Sequence, residues 1–452
     1  MRQNMKYQDL TQGKITSGLW KFALPLMLGN VMQQLYNLAD TWVVGRYVGS
    51  NALAAVGSSY TLMTFLTSIV IGLCLGSSAF ISQAFGKKDD DAIRNGIFLS
   101  FCLTFLITVV IMVVFYALLD CIIVWMQIPD EIQKDMHIYL FYVFIGFGAT
   151  FLYNYISNLL RGVGNSVIPL FFLGISVVLN IGLDLFFVIG LRQEIFGAAI
   201  ATVIAQFAAG VGIFLYFLIQ YPEYHLKRKD RQWNRYRFGE MMRLSGYTAL
   251  QQSVMNLGIL VVQGIVNSFG AVIMAAFAIA VKIDTIAYMP VQDFGNAFSV
   301  FAAQNYGAGK QKRLKSGIRQ AFLSVVVFSV TISLVVCLLA RPLMSIFVEA
   351  GSHAIIQAGV TYLRIEGAFY IGIGILFLLY GYYRAVSKPV MSVVLTVISL
   401  GSRVVLAYLL SRIPVIGVIG IWVSIPIGWF LADLTGILYY KRIMSKAGRS
   451  DR

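Results

Sequence analysis

Apolar runs long enough to cross a lipid bilayer recur along this chain. "FLSFCLTFLITVVIMVVFYALL" and "SVVVFSVTISLVVCLLA" are two of them. A helix needs about 20 such residues to span a hydrocarbon core ~30 Å thick. Lipid offers no water to satisfy backbone N–H and C=O groups, so only helices and closed barrels cross it. These runs lack the apolar–polar alternation of a half-buried strand. The fold class expected is therefore an all-α polytopic membrane protein. Composition agrees: of 452 residues, 58% are hydrophobic and only 12% charged, where soluble domains carry about 25% charge.

Twelve spans are predicted, at 17–43, 52–83, 95–119, 133–159, 166–190, 195–220, 241–268, 272–304, 318–340, 357–383, 390–411 and 416–440. The polar start "MRQNMKYQDLTQGKITSG" feeds directly into the first, and no cleaved signal peptide is expected. Cys74, Cys102, Cys121 and Cys337 are scattered, as are the three histidines, so neither a disulfide framework nor a zinc site is expected.

The net charge of +15 is segregated by loop. "HLKRKDRQWNRYR" follows span six, "GKQKRLKSGIR" follows span eight, and "KRIMSKAGRSDR" ends the chain. The loops after spans two and ten add Lys87, Lys88, Arg94, Arg384 and Lys388, whereas the loop around Asp120, Asp130, Glu131 and Asp135 is acidic. By the positive-inside rule both termini and all even loops are expected in the cytoplasm of a cell-membrane protein. Such a pattern reports topology, with anionic-lipid contact as a secondary effect, so nucleic acid is excluded as a partner. The bilayer and small organic substrates are the partners expected, and the chain is expected to be a monomer.

The two halves repeat. "ISQAFGKKDDDAIRNG" from Ile81 matches "AAQNYGAGKQKRLKSG" from Ala302, pairing Gln83 with Gln304, Gly86 with Gly307 and Gly96 with Gly317. Gly49 pairs with Gly270 at the same spacing; two residues further apart, "RGVGNSVIP" from Arg161 meets "RAVSKP" from Arg384, and Gly197 meets Gly420. Each half holds an even number of spans, so the halves enter from the same side as a parallel repeat. The expected organisation is an N-lobe at 1–220, a basic cytoplasmic linker at 221–240 that serves as the joint, and a C-lobe at 241–452. Transporters bind between such halves and rock one against the other.

Ionisable residues within spans are functional candidates by default. Asp40 lies in span one and Asp184 in span five. Asn180 is four residues from Asp184 and Ala198 four from Thr202, so each pair shares a helix face. At 1.5 Å rise per residue, Asp184 lies about 9 Å and Thr202 about 10 Å from the outer end of its span, and Asp40 is at similar depth. Two carboxylates, an amide, a hydroxyl and a carbonyl make a hard-oxygen set that suits Na⁺ or a shared proton. The competing readings are an interfacial helix cap for Asp40, a pair with Arg192 for Asp184, and plain interhelical hydrogen bonding for Asn180 and Thr202. Pro25, inside span one, can bend or hinge its helix. In the second half, Asp284 either pairs with Lys282 or, like Asp293, belongs to a polar network or cavity. Glu366 sits beside Arg364 and reads equally well as interfacial, and Asp433 is the main acid of the last spans.

The stretch from Pro25 to Asp40, the two Q-x-x-G loops and "LLRGVGNSVIP" together resemble the multidrug and toxic compound extrusion (MATE) family, over nearly the whole chain. The resemblance implies twelve helices in two lobes, no enzymatic activity, no cofactor, and export of organic, often cationic, compounds in exchange for H⁺ or Na⁺. It implies that Asp40, Asn180, Asp184, Thr202 and the Ala198 carbonyl form the N-lobe cation site. Tyr36 and Asn154 look like further members of that network, to which Asn37 and Asn158 are added, and Pro25 looks like the family's bending proline. NorM-like members carry a glutamate in span seven; here that region reads "GYTALQQSVMN", closer to the DinF-like branch. The rival within the same superfold is a flippase for a lipid-linked oligosaccharide, which needs cavity arginines for its pyrophosphate. Arg161, Arg384 and Arg403 are the candidates, and twelve spans rather than fourteen weigh against it. No nucleophile motif, metal-ligand cluster or nucleotide loop supports a membrane enzyme.

Overall fold

A computed structural model describes residues 7–126, 128–348 and 352–450. Among them every regular element is helical. The first half holds α1 (Ile15–Tyr47), α2 (Ser50–Lys87), α3 (Asp90–Trp125), α4 (Asp130–Ile145), α5 (Phe147–Gly162), α6 (Val167–Asp184) and α7 (Glu194–Gln220). The second holds α8 (Arg235–Asn267), α9 (Ala271–Gly307), α10 (Gln311–Ser345), α11 (His353–Gly367), α12 (Tyr370–Ala385), α13 (Pro389–Ser411) and α14 (Ile419–Ser450). Nine of these are long and apolar enough to cross a membrane, and the bent pairs α4–α5 (44°) and α11–α12 (52°) make two further broken spans. The remaining helix, α1, is 33 residues long, and its polar residues, Asn30, Gln33, Gln34, Asn37 and Asp40, lower its hydropathy. Outward side chains such as Leu106, Val110 and Val113 on α3 and Val327, Leu334 and Leu338 on α10 are exposed in the way a lipid-facing surface requires.

The repeat survives in detail. α2 packs on α5 as α9 packs on α12, and α5 packs on α7 as α12 packs on α14. Gly49 and Gly270, which precede α2 and α9, both have left-handed φ, at 130° and 88°; that region is open to glycine without steric cost. The fourth span breaks in both halves. At Gly146, between α4 and α5, the absence of a side chain leaves room for the Gln206 amide of α7.

The chain divides into two compact units inside its helices. One unit comprises the described residues up to Leu10 together with Leu24–Ala249; the other comprises Thr11–Ala23 and the chain from Leu250 onward. The physical reasons are local. In the second unit Lys310 Nζ donates to the Thr11 carbonyl (2.9 Å), Arg313 donates to the Gly13 carbonyl (2.8 Å), and the Trp20 ring meets Phe294 at 5.1 Å. In the first unit Gly72 and Gly76 of α2 press on α8, where a Cβ on either would overlap backbone at Ala249 and Ser245, and Ser77 and Ser245 share a hydrogen bond of 2.9 Å. Small residues are what allow helix backbones to approach this closely.

The connection from α7 to α8 is likewise pinned to the first unit. Arg94 Nε donates to Asp230 at 3.1 Å, and both residues are buried. Arg94 also pairs with Asp91 and donates to the Glu223 carbonyl, while Asn95 donates to the carbonyls of Asp230 and Gln232, each at 2.9 Å. A buried pair costs most when only one partner is removed, about 3–5 kcal/mol. Arg94→Ala is therefore expected to lower the thermal unfolding midpoint clearly more than the double replacement Arg94→Met with Asp230→Leu. Equal midpoints for the two variants, measured in the same detergent, would show that the connection is not held by this pair.

Candidate functional site

In the first half the amide, both acids and the hydroxyl singled out from sequence come together. Asn180 and Asp184 end α6, and Thr202 lies on the facing side of α7. Asn180 Nδ2 donates to Thr202 Oγ1 at 3.4 Å, and Tyr36 of α1 donates its hydroxyl to the same oxygen at 3.5 Å. Asp40, one helical turn beyond Tyr36, is a neighbour of Asp184. Ala198, four residues before Thr202, is fully buried beside them. The four-residue spacings place these groups on inward faces. Directly after Asp184 the helix widens into a π-helical turn, Leu185–Gly190, closed by Leu191 N donating to the Phe186 carbonyl at 2.9 Å. Such turns recur at functional sites.

Burial sharpens the chemistry. Asp40 is 6% exposed and Asp184 0%. Among the described residues, both Asp184 oxygens, one Asp40 oxygen and the Asn180 carbonyl oxygen lack a hydrogen-bond partner. Neither acid is in an ion pair among the described residues. Pairing of Asp184 with Arg192 is thus not what the fold provides: Arg192 is exposed, in the turn before α7. Asp40 is buried rather than an interfacial cap. Buried carboxylates without a counter-charge are costly, and these two are neighbours. No group of three or more His, Cys, Asp or Glu residues forms a metal-holding cluster among the described residues. The site offers two acidic groups beside neutral oxygens.

Other expected members stand apart. Asn37 donates to Gln34 (3.5 Å) and to the Tyr60 hydroxyl (3.4 Å), on the rim of the cluster. Asn154 and Asn158 spend their amide hydrogens on their own helix, at the carbonyls of Thr150 and Asn154, each 2.9 Å away. Asp284 and Asp293 are both buried in α9, in the other half. Pro25 lies inside α1, at the point where that helix passes from one compact unit to the other. One residue was missed: Tyr139 of α4, buried against Asp40. Its signal was available in the repeat. The spacing that pairs Arg161 with Arg384 also pairs Tyr139 with Tyr362.

The MatE family model matches residues 25–186 and again residues 248–409. The chain is 28% identical to the "Probable multidrug resistance protein YpnP" of Bacillus subtilis (strain 168), covering 97% of each chain. It is 26% identical to the "Probable multidrug resistance protein YoeA" of the same organism, covering 97% of this chain and 96% of that one. A crystal structure of MATE in complex with MaL6 shares its fold, with a TM-score of 0.92 over 98% of this chain and 99% of that chain at 22% identity.

Two buried acids without a cationic partner oppose folding whenever both are ionised. Replacing Asp184 with Asn is therefore expected to keep or raise the thermal unfolding midpoint at pH 8, by about 2–4 °C for each kcal/mol relieved. A drop of that size on the same scan would mean that Asp184 has a stabilising partner.

Proposed function

Because the chain belongs to the MatE family, we propose that it is a cation-coupled antiporter exporting organic, cationic or amphipathic compounds, drugs included, in exchange for H⁺ or Na⁺. The observation that carries this reading is the pair Asp40 and Asp184, buried together without a protein cation. A protein keeps such a pair in a membrane when an ion from outside supplies the missing charge. The names of the relatives, probable multidrug resistance proteins, support the substrate class.

The cycle follows from electrostatics. With the site empty, two like charges repel within a low-dielectric pocket. A cation or proton entering between Asp40 and Asp184 removes that repulsion, and a cation also satisfies the free Asn180 oxygen, with the Ala198 carbonyl as a further ligand. Thr202 holds Asn180 and Tyr36 in register, and Tyr139 closes the Asp40 side. The ion drives transport only through different affinities in two conformations. Asp40 and Pro25 share α1, so the site's occupancy and the bend of that helix are read by one element. The moving bodies are the two six-helix halves, with the first-helix segments 11–23 and 235–249 exchanged between them. Both termini and the even loops face the cytoplasm, and the protein acts in the cell membrane, as a monomer.

In proteoliposomes with Na⁺ and pH gradients imposed separately, the wild type is expected to expel a cationic dye under at least one gradient. Asp40→Asn is expected to lose that driven efflux at least tenfold, while dye binding to purified protein persists. Driven efflux at wild-type rate in the variant would overturn the coupling.

A further inference from the structure

The connection from α7 to α8 carries more positive charge than it spends. Residues 225–237 hold Lys227, Arg228, Lys229, Arg231, Arg235 and Arg237 against the single acid Asp230. Asp230 is buried and already committed: it accepts from Arg94 Nε at 3.1 Å and from the Lys227 backbone N–H at 2.9 Å. Lys229 pairs with Asp91 at 3.1 Å, and Arg237 lies 4.0 Å from Asp89. Arg228, Arg231 and Arg235 are exposed and form no ion pair among the described residues.

Two large rings are exposed among these cations. Trp233 is 59% exposed and Tyr236 80%, although Trp233 also packs on Phe238 of α8 at 4.3 Å. Water solvates the apolar body of such rings poorly, whereas the headgroup layer of a bilayer takes both body and polar tip. These rings stand at the start of α8, a helix of membrane-crossing length that begins at Arg235. Arg243 is the last charged residue of α8, and the exposed side chains beyond it, Tyr247, Leu250, Leu257, Ile259 and Val261, are aromatic or aliphatic. The cations and rings therefore stop where an apolar, lipid-compatible surface begins.

The backbone that carries them is fixed. Asn95 donates to the carbonyls of Asp230 and Gln232, each at 2.9 Å, and the Asn234 side chain caps α8 by accepting from the Arg237 backbone N–H at 3.0 Å. A surface ordered before binding loses little conformational freedom when a ligand settles on it.

We propose that Arg228, Arg231 and Arg235, together with Trp233 and Tyr236, form a docking surface for anionic phospholipid headgroups in the leaflet that borders this connection. Guanidinium forks match the oxygens of a phosphodiester, and the two rings lie among the glycerol and upper acyl groups of the same lipid. Three arginines without protein counter-charges receive theirs from the membrane, while Asp91 and Asp230 neutralise the cations that hold the connection in place. The complementarity is with a lipid rather than an acidic protein because the rings and the apolar face of α8 continue the cationic surface. The inference does not depend on ion coupling at Asp40.

Native mass spectrometry of the full-length protein, delipidated in detergent and titrated with phosphatidylglycerol or phosphatidylcholine, tests it. The wild type is expected to retain phosphatidylglycerol at concentrations where phosphatidylcholine is lost. The triple variant Arg228→Gln, Arg231→Gln, Arg235→Gln is expected to bind phosphatidylglycerol roughly fivefold or more weakly, with phosphatidylcholine retention unchanged. Trp233→Ala is expected to weaken it about twofold. A charge-matched control on exposed residues of α10, Lys312→Gln, Lys315→Gln, Arg319→Gln, is expected to keep wild-type affinity. Wild-type affinity in the arginine variant, or an equal loss in the control, would overturn the proposal. So would displacement of the lipid by an equal concentration of glycerol phosphate, which would make free phosphate the ligand, or tighter binding of a glutamate-rich peptide than of phosphatidylglycerol. Each variant is read only if it elutes as a single species; if the triple variant does not fold, Arg231→Gln alone decides, with an expected loss of about twofold.

Discussion

A carboxylate taken out of water without a counter-charge is the interaction on which the first half of this protein is organised. Asp184 is fully buried with both oxygens unpartnered, and Asp40 is buried beside it. Ordinary packing cannot stabilise that arrangement, since hydrocarbon side chains offer it nothing. The fold holds it by fixing everything around it. Asn180 and Tyr36 both spend a donor on Thr202, and the π-helical turn from Leu185 to Gly190 terminates the helix that carries Asp184. The acids keep unsatisfied oxygens, as does the Asn180 carbonyl, while the donors beside them are spent on Thr202.

The spans were readable because lipid leaves a chain few choices: long apolar runs must be helices, and their order follows. The breaks at Gly146 and at Ala368–Phe369 were not readable. Glycine is common in membrane helices and does not announce a bend, and the break depends on what faces it, here Gln206. Helical spacing and depth allowed a cluster of Asp40, Asn180, Asp184 and Thr202, and the family resemblance chose it over the competing readings. Tyr139 needed the repeat as well, because a tyrosine near a span end reads as an interfacial anchor. Asn154 and Asn158 look equally polar in sequence, yet their amides turn back onto their own helix. Glu366 looked interfacial because Arg364 is two residues away, yet it is buried; that separation places the two side chains on different helix faces.

The repeat preserved architecture more faithfully than charge. Helix pairings, the broken fourth span and the left-handed glycines at 49 and 270 recur in both halves. The backbone must satisfy the same hydrogen bonds in both, so its geometry tolerates little drift. Side chains on inward faces are bound only by the need to be satisfied together. The first half carries acids on its first and fifth spans around a neutral amide; the second buries Asp284 on its second span and Glu366 on its fourth.

The helix ends add a mechanical consequence. Thr11–Ala23 is bound to the second unit through Lys310, Arg313 and Phe294, while the rest of α1 belongs to the first. The first turns of α8 are gripped by Gly72, Gly76 and Ser77 of α2, and the remainder belongs to the second unit. The connection at 222–232 is pinned by Arg94 and Asn95, so it is poorly suited to absorb motion. The chain passes between the units at Leu10–Thr11, within α1 and within α8. In α1 the crossing lies next to Pro25, which lacks the N–H that would stiffen the turn. In α8 it lies at Ala249–Leu250, beyond the glycine contact that fixes the preceding turns. Because α1 also carries Asp40, the crossing beside Pro25 and the first-half acid lie on one helix.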